Sequence, residues 1–292
     1  MTRAERLSAL LGTPVRAVTD LGASHAWTLH RAELVTGRMV FVKTSAEPTT
    51  VFVSEAAGLA WLGKAGTATI ESVRDGTGAP VPQVLAADDR MLVLPWLDET
   101  RPTPAAAERF GRELALLHGD RPEWFGAPWT GWIASLPLPN TQAEGPWSRW
   151  YAEQRLEPYL PGAAAHLGAD GIRLVECVIG RIDDLAGPAE PPSRIHGDLW
   201  SGNILWTRER AMLIDPAAHG GHRETDLAML ALFGAPHLDR IRATYHETRP
   251  LADGWQARTP LHQLHPLLVH VALFGAGYRA QTLAAATAAL AA

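Results

Sequence analysis

The stretch from His196 to Pro216 constrains this chain more than any other. It reads His196-Gly197-Asp198-Leu199-Trp200-Ser201-Gly202-Asn203, then the apolar run Ile204-Leu205-Trp206 and a polar break at residues 207–210. A second apolar run, Ala211-Met212-Leu213-Ile214, leads to Asp215-Pro216. Two short apolar runs around a polar turn are the pattern of a β-hairpin. A glycine-flanked loop therefore carries Asp198, and the hairpin returns Asp215 to the end where Asn203 sits. An aspartate, an asparagine five residues on and a second aspartate twelve residues later are the oxygen-bearing parts of a phosphoryl-transfer centre. In such a centre the first carboxylate, Asp198, takes the proton of a substrate hydroxyl. Asn203 and Asp215 are the candidate Mg²⁺ ligands.

The 292 residues suffice for one large domain or two lobes with a proper core. A net charge of −5 without a block of like charges argues against a nucleic-acid or membrane-surface partner. No apolar run reaches the roughly 18 residues that span a bilayer, and the N-terminus lacks a charged-then-apolar leader pattern. The expectation is a cytoplasmic protein with a small-molecule or protein-bound substrate, as a monomer or dimer. Cys177, the single cysteine, lies in the apolar helical stretch Leu174-Val175-Glu176-Cys177-Val178-Ile179 and reads as a buried thiol. Of 26 basic residues only Lys43 and Lys64 are lysines. A compact ammonium suits a phosphate better than the wide arginine fork, so Lys43 stands out.

Residues 14–45 read as strands. Val15-Arg16-Ala17-Val18 comes first, then residues 27–34 and 38–43, the last two joined by the hairpin signal Val35-Thr36-Gly37. Leu21-Gly22-Ala23-Ser24-His25-Ala26 is a small-residue turn whose backbone, at Gly22 and Ser24, could approach phosphates. Lys43 ends the third strand, and apolar spacing predicts a helix over residues 49–64 with Glu55 near its start. A strand lysine paired with a glutamate from the next helix is how kinases hold the α- and β-phosphates. Further apolar runs at residues 84–86 and 91–97 finish this part. Residues 94–99, with Leu94 and Trp96, would form the crossing to a second lobe, where backbone groups could meet an adenine edge.

The remainder is mostly helical. Thr103-Pro104 caps a helix over residues 104–118, residues 126–146 read as a long loop, and helices follow at 147–160 and 174–185. Residues 188–192 link into the Asp198 loop. Glu224 and Asp226 open a helix after that loop, and Asp226 reads as structural support for it. Helices at 237–247 and 261–273, a turn at Gly275-Ala276-Gly277 and an alanine-rich terminal helix close the chain. No internal repeat is visible.

His196-Gly-Asp-Leu-Trp-Ser-Gly-Asn203 resembles the loop of the fructosamine kinase (ketosamine-3-kinase) family, within the protein-kinase-like and aminoglycoside phosphotransferase superfamily. The Trp-Ser pair separates it from most aminoglycoside and choline kinases. Asp215-Pro216-Ala217, Gly221-His222-Arg223-Glu224-Thr225-Asp226-Leu227-Ala228-Met229, Leu136-Pro137-Leu138-Pro139-Asn140-Thr141 and His270-Val271-Ala272-Leu273-Phe274-Gly275-Ala276-Gly277-Tyr278 are similar to further family blocks, so the likeness covers nearly the whole chain. There are departures. Gly22-Ala23 stands where the family usually has Gly-Gly, and Val269 and Ala272 replace asparagines that flank the histidine.

The resemblance implies an α+β, two-lobed protein-kinase-like fold. A small β-rich nucleotide-binding lobe (residues 1–97) would precede a larger, mainly helical catalytic and substrate-binding lobe (residues 98–292). It implies an ATP- and Mg²⁺-dependent kinase that phosphorylates the 3-hydroxyl of ketosamines, the adducts formed when reducing sugars glycate amines, leading to deglycation. Lys43 and Glu55 would grip phosphates, Asp198 would be catalytic, and Asn203 and Asp215 would carry the metal. Trp200 offers an aromatic face to the sugar or its amine, and His270 could reach a sugar hydroxyl. The alternatives are a phosphotransferase for another small hydroxyl substrate, of aminoglycoside, choline or homoserine type, and a non-catalytic nucleotide-binding protein on the same fold.

Overall fold

The computed structural model describes residues 2–24, 26–65 and 78–292. The chain opens with helix α1 (Arg3–Leu11), held by a reciprocal cap: the Thr2 hydroxyl accepts from Glu5 N, and the Glu5 carboxylate accepts from Thr2 N. Gly12 stops it in the left-handed region at φ 63°. This helix lies ahead of the first strand expected from the sequence. Its signal was the Thr2-x-x-Glu5 capping box.

Strands β1 (Val15–Ser24), β2 (Trp27–Leu34), β3 (Met39–Thr44), β4 (Ala86–Ala87) and β5 (Met91–Pro95) form an antiparallel sheet in the order β1-β2-β3-β5-β4. One face packs on α1 through Leu7, Ala32, Leu34, Val40, Val42, Met91 and Val93. The other receives helix α2 (Val51–Leu62), whose Phe52 and Leu59 meet Leu92 and Leu94. Alternation of side chains along β3 sends Val42 into the first cluster and Lys43 toward α2. The turn expected at residues 21–26 is shorter than the sequence suggested. β1 runs on through Gly22 to Ser24 against β2, with a register shift between Asp20 and Gly22. Gly22 takes φ 98° there, which a residue without Cβ adopts cheaply.

The larger, helical part starts at α3 (Pro104–Gly119), with Thr103 Oγ accepting from Ala106 N. Residues 126–146, expected as loop, contain the hairpin β6 (Gly131–Ile133) and β7 (Leu136–Leu138). The helix expected over 147–160 is α-helical only in α4 (Trp147–Tyr151). A π-turn (Ala152–Leu156) and a 3₁₀ turn (Glu157–Tyr159) follow, then α5 (Leu160–Gly180), broken at Gly168, and α6 (Ile182–Leu185). Pro158 has no N–H to donate, so the regular ladder slips at that point. The buried stripe of α5 runs through Gly171, Val175 and Val178. Cys177 lies off that stripe and is exposed, which corrects the buried-thiol expectation.

β8 (Ser193–Ile195) pairs with β11 (His219–Gly221) and brackets the Asp198 loop. Between them lies the expected hairpin, β9 (Ile204–Trp206) with β10 (Ala211–Leu213). Helices α7 (Glu224–Phe233), α8 (Leu238–Thr248), α9 (Trp255–Phe274) and α10 (Arg279–Ala291) complete the chain, with a 3₁₀ turn (Gly275–Tyr278) before the last. α9 is longer than the 261–273 expected and carries Pro260 and Pro266 within it. Among the described residues no helix is long and apolar enough to cross a membrane.

This core holds several histidines uncharged. Burial lowers the pKa of His196, lowers those of His219 and His265 well below the ordinary value, and takes His222 to about 3. The unfolded chain binds a proton on each as pH falls through about 6.5 while the folded chain does not, so stability drops with pH. Glu55 and Asp198, raised by burial to about 7, act in the opposite sense but are two against six, since burial lowers His30 and His270 as well. The melting temperature is expected to fall on acidification from pH 7 to 5, and a level or rising profile would contradict this account.

Candidate active site

A cleft of about 1200 Å³ lies between the sheet and the helical part. Its lining includes Ser24, Lys43, Glu55, Leu94, Trp96, Asp198, Trp200, Asn203, Asp215 and His270. Gly22, the other candidate phosphate-loop residue beside Ser24, is not among those lining it. His25, part of the expected phosphate turn, lies outside the described residues.

Lys43 projects from β3 and is almost wholly buried. Its Nζ lies 3.1 and 2.9 Å from the two Glu55 oxygens and 2.8 Å from Asp215 Oδ1. Burial alone would lower the lysine pKa, but Glu55 and Asp215 overcome it and hold the ammonium charged. Burial raises Glu55 to about 7 against the pull of Lys43. Asp215 stays below the usual carboxylate range because Lys43 offsets its burial. One cation thus ties together the sheet, α2 and the strand end beyond β10. Asp215 sits at φ 52°, a left-handed conformation that aspartate tolerates better than most residues.

The Asp198 loop is held from several sides. Asn203 Nδ2 donates to Asp198 O at 2.9 Å and to Asp198 Oδ2 at 3.0 Å. Burial raises the Asp198 carboxyl to about 7, with Asn203 opposing. Asp198 N lies 3.3 Å from His196 Nδ1, so His196 Nε2 carries the proton donated to Ile214 O at 2.9 Å. The imidazole therefore links the Asp198 loop to the residue before Asp215. Beneath it, the fully buried Asp226 accepts from His196 N at 2.7 Å and Gly197 N at 2.9 Å, and pairs with His118 Nε2 at 3.1 Å. This is the supporting position read from sequence. Gly197 takes φ 81°, and a Cβ there would lie 2.3 Å from Ala217 O.

Trp200 is 39% exposed and meets the Phe233 ring edge-on at 6.3 Å between centroids. A Cβ on Gly202 would stand 2.3 Å from the Trp200 ring. Gly202→Ala is therefore expected to displace Trp200 and raise the KM for the acceptor severalfold, with the ATP KM little changed. Steady-state kinetics in both substrates checks this, and an unchanged acceptor KM would count against a role for Trp200. His270 also lines the cleft, packed against Phe233, Phe274 and Tyr278. Val269 lines it as well, whereas Ala272 is not among the lining residues and lies by Gly162 of α5.

Sequence reasoning missed the β6–β7 hairpin, whose Trp132, Ile133, Ala134 and Ser135 line the cleft. The hairpin touches α2 where Ser54 Oγ, next to Glu55, donates to Thr130 O at 2.6 Å. It is anchored from behind by the buried Arg155, which donates to Pro139 O and to Asn140 Oδ1. The signal was the Leu136–Thr141 block, read as a family likeness without a place in the cleft. A second cluster, His222, Glu224 and His262, brings ligand-type atoms within 4.8 Å of one another. Both Glu224 oxygens are already engaged by the Arg258 guanidinium at 2.6 and 3.0 Å, so an internal cation fills that place.

The chain matches the family model described as fructosamine kinase over residues 7–291. The chain belongs to the fructosamine kinase family. A probable ketoamine kinase of Synechocystis is 34% identical over 290 residues, covering 96% of this chain and 93% of that protein. One from Thermus thermophilus is 35% identical, covering 83% and 84%. The crystal structure of a candidate fructosamine-3-kinase from Thermobifida fusca is 52% identical with a TM-score of 0.93, covering 100% of this chain and 99% of that one. An aminoglycoside phosphotransferase solved with ADP and hygromycin B is 12% identical with a TM-score of 0.66, covering 100% and 98%, a likeness of fold alone. This fructosamine kinase family member has a protein-kinase-like α+β fold, with a β-sheet N-lobe and a helical C-lobe, and is a phosphotransferase with a hydroxyl acceptor.

Proposed function

We propose that this enzyme transfers the terminal phosphoryl group of ATP to the 3-hydroxyl of a ketosamine. The observation that carries the reading is the meeting, in one cleft, of Asp198 hydrogen-bonded by Asn203 with the Lys43–Glu55–Asp215 ion cluster. In this reading residues 1–97 hold the nucleotide. Lys43, kept charged and aimed by Glu55, grips the α- and β-phosphates, and Ser24 on β1 covers them. Leu94 and Trp96 flank the base.

The donor set fits Mg²⁺, which takes oxygen ligands from one or two protein groups and leaves the rest to phosphates and water. Asn203 and Asp215 would hold it, and its chemistry is to neutralise charge on the phosphates. Asp198 orients the 3-hydroxyl and takes its proton late in the transfer. The new bond joins O3 to phosphorus, and the bond from phosphorus to the ADP oxygen breaks. Trp200 packs on the sugar or its amine. The phosphorylated adduct is unstable and comes apart, releasing the amine, which makes the overall outcome deglycation.

Asp215→Ala is expected to remove Mg²⁺-dependent nucleotide binding. A ligand that binds only the folded state raises its melting temperature, so Mg-ATP should stabilise the wild type and leave this variant unmoved. Full stabilisation of the variant would contradict the assignment. The acceptor class is tested by Mg-ATP consumption with fructosyl-, ribulosyl- and erythrulosyl-amines beside an aminoglycoside and choline, with Asp198→Ala as the blank. Turnover confined to aminoglycoside or choline would overturn the ketosamine reading.

A further inference from the structure

The end of the cleft beyond Asp198 has a chemistry of its own. Among the described residues, six large apolar side chains are more than a third exposed, and three of them, Leu21, Trp200 and Phe274, line this cleft. Phe274 is 54% exposed. From Trp200 a run of rings continues through Phe233 to His270, at 6.3 and 5.0 Å between centroids, and from His270 to Phe274 and Tyr278 at 5.5 and 4.7 Å. Val269 and Leu273 of α9 also line the cleft.

The charged lining residues come from elements other than α9. Glu55 and Asp215 are engaged with Lys43, Asp98 accepts from Trp96 Nε1 in the segment after β5 with Glu99 beside it, and Asp198 is the reacting carboxylate. Among the described residues, α9 and the turn after it contribute no charged side chain to the lining. Arg279, next in sequence, donates to Leu167 O of α5. His270 adds one polar atom. Its Nδ1 donates to Pro266 O at 2.6 Å, which leaves Nε2 as a hydrogen-bond acceptor.

We infer that the amine-side moiety of the acceptor is apolar or aromatic, seated against Trp200, Phe233, Phe274 and Tyr278, with His270 Nε2 accepting an N–H from the adduct nitrogen. The inference rests on the ketosamine reading above and narrows it. A ketosamine carries a secondary ammonium, and aromatic faces tolerate a cation that must shed water. Beyond that nitrogen, an aryl or alkyl group gains by burial against the rings. The carboxylate of an amino-acid adduct would lose hydration there with no counter-charge supplied.

The test compares one sugar on four amines: the fructosyl adducts of benzylamine, hexylamine, glycine and the lysine side chain. The kcat/KM of the benzylamine adduct is expected to exceed that of the glycine adduct by about ten- to a hundredfold, the range for burying a ring of that size. Phe274→Ala should cut this ratio about fivefold or more, and Phe274→Leu should restore part of it; because Phe274 is exposed, truncating it spares the core. Equal kcat/KM across the four amines, or a ratio untouched by Phe274→Ala, would overturn this inference and leave the ketosamine reading intact. No turnover of any adduct, with stabilisation by Mg-ATP retained, would overturn both.

Discussion

Asp198→Asn is expected to lower turnover by about 10²- to 10⁴-fold, the range for losing a positioned general base, while Mg-ATP still stabilises the protein against heat. The amide keeps the size of the carboxylate and can still meet Asn203 Nδ2, which lies 3.0 Å from Oδ2 in the native loop. Lys43, Glu55 and Asp215 form their own ion cluster and should continue to hold nucleotide. What the variant loses is a group able to take the proton from the acceptor hydroxyl. Retained activity with unchanged kinetics would remove Asp198 from the chemistry. Loss of nucleotide binding together with activity would point to collapse of the loop instead.

Asp226→Ala is expected to destabilise the fold by roughly 3–5 kcal/mol, the cost of leaving buried polar partners without their acceptor. Asp226 is fully buried, and both its oxygens are used, by the backbone N–H groups of His196 and Gly197 and by His118. Removing the carboxylate strands those donors beneath the Asp198 loop, in a place water does not reach. Activity should fall as well, although Asp226 touches no reacting atom, because the loop loses the anchor that fixes its entry. Asp226→Asn, which preserves an acceptor for one of the donors, should cost less. Urea unfolding of the three proteins measures the effect, and a midpoint shared by all of them would contradict this role.

The chemistry of this chain was legible because it is written in local spacing. Asp198, Asn203 and Asp215 lie within one loop and one hairpin, so two short apolar runs around a polar turn were enough to bring them together. Lys43 and Glu55 were readable for a similar reason, since a strand end followed at once by a helix leaves few ways to arrange the pair. What escaped depends on distant packing. The β6–β7 hairpin is two strands of three residues in a stretch dense with proline and glycine, and it is held by Arg155 from a later turn. The helix gives way to a π-turn at Ala152 and then to a 3₁₀ turn around Pro158, breaks that the apolar residues of this stretch do not announce. Cys177 has the neighbours of a buried residue, yet the stripe set by Gly171, Val175 and Val178 turns it outward. The aromatic end of the cleft joins Trp200 of the Asp198 loop, Phe233 of α7, Phe274 of α9 and Tyr278 of the turn after it, a grouping that only the fold assembles.

The most direct test of the central claim is to locate the phosphate. The enzyme would be incubated with Mg-ATP and a fructosyl-amine, and the product followed by phosphorus–proton correlation NMR. The account predicts one phosphate on O3 for each ADP formed, followed by release of the free amine. A phosphate on another oxygen, or ADP formed with no phosphorylated sugar, would contradict it.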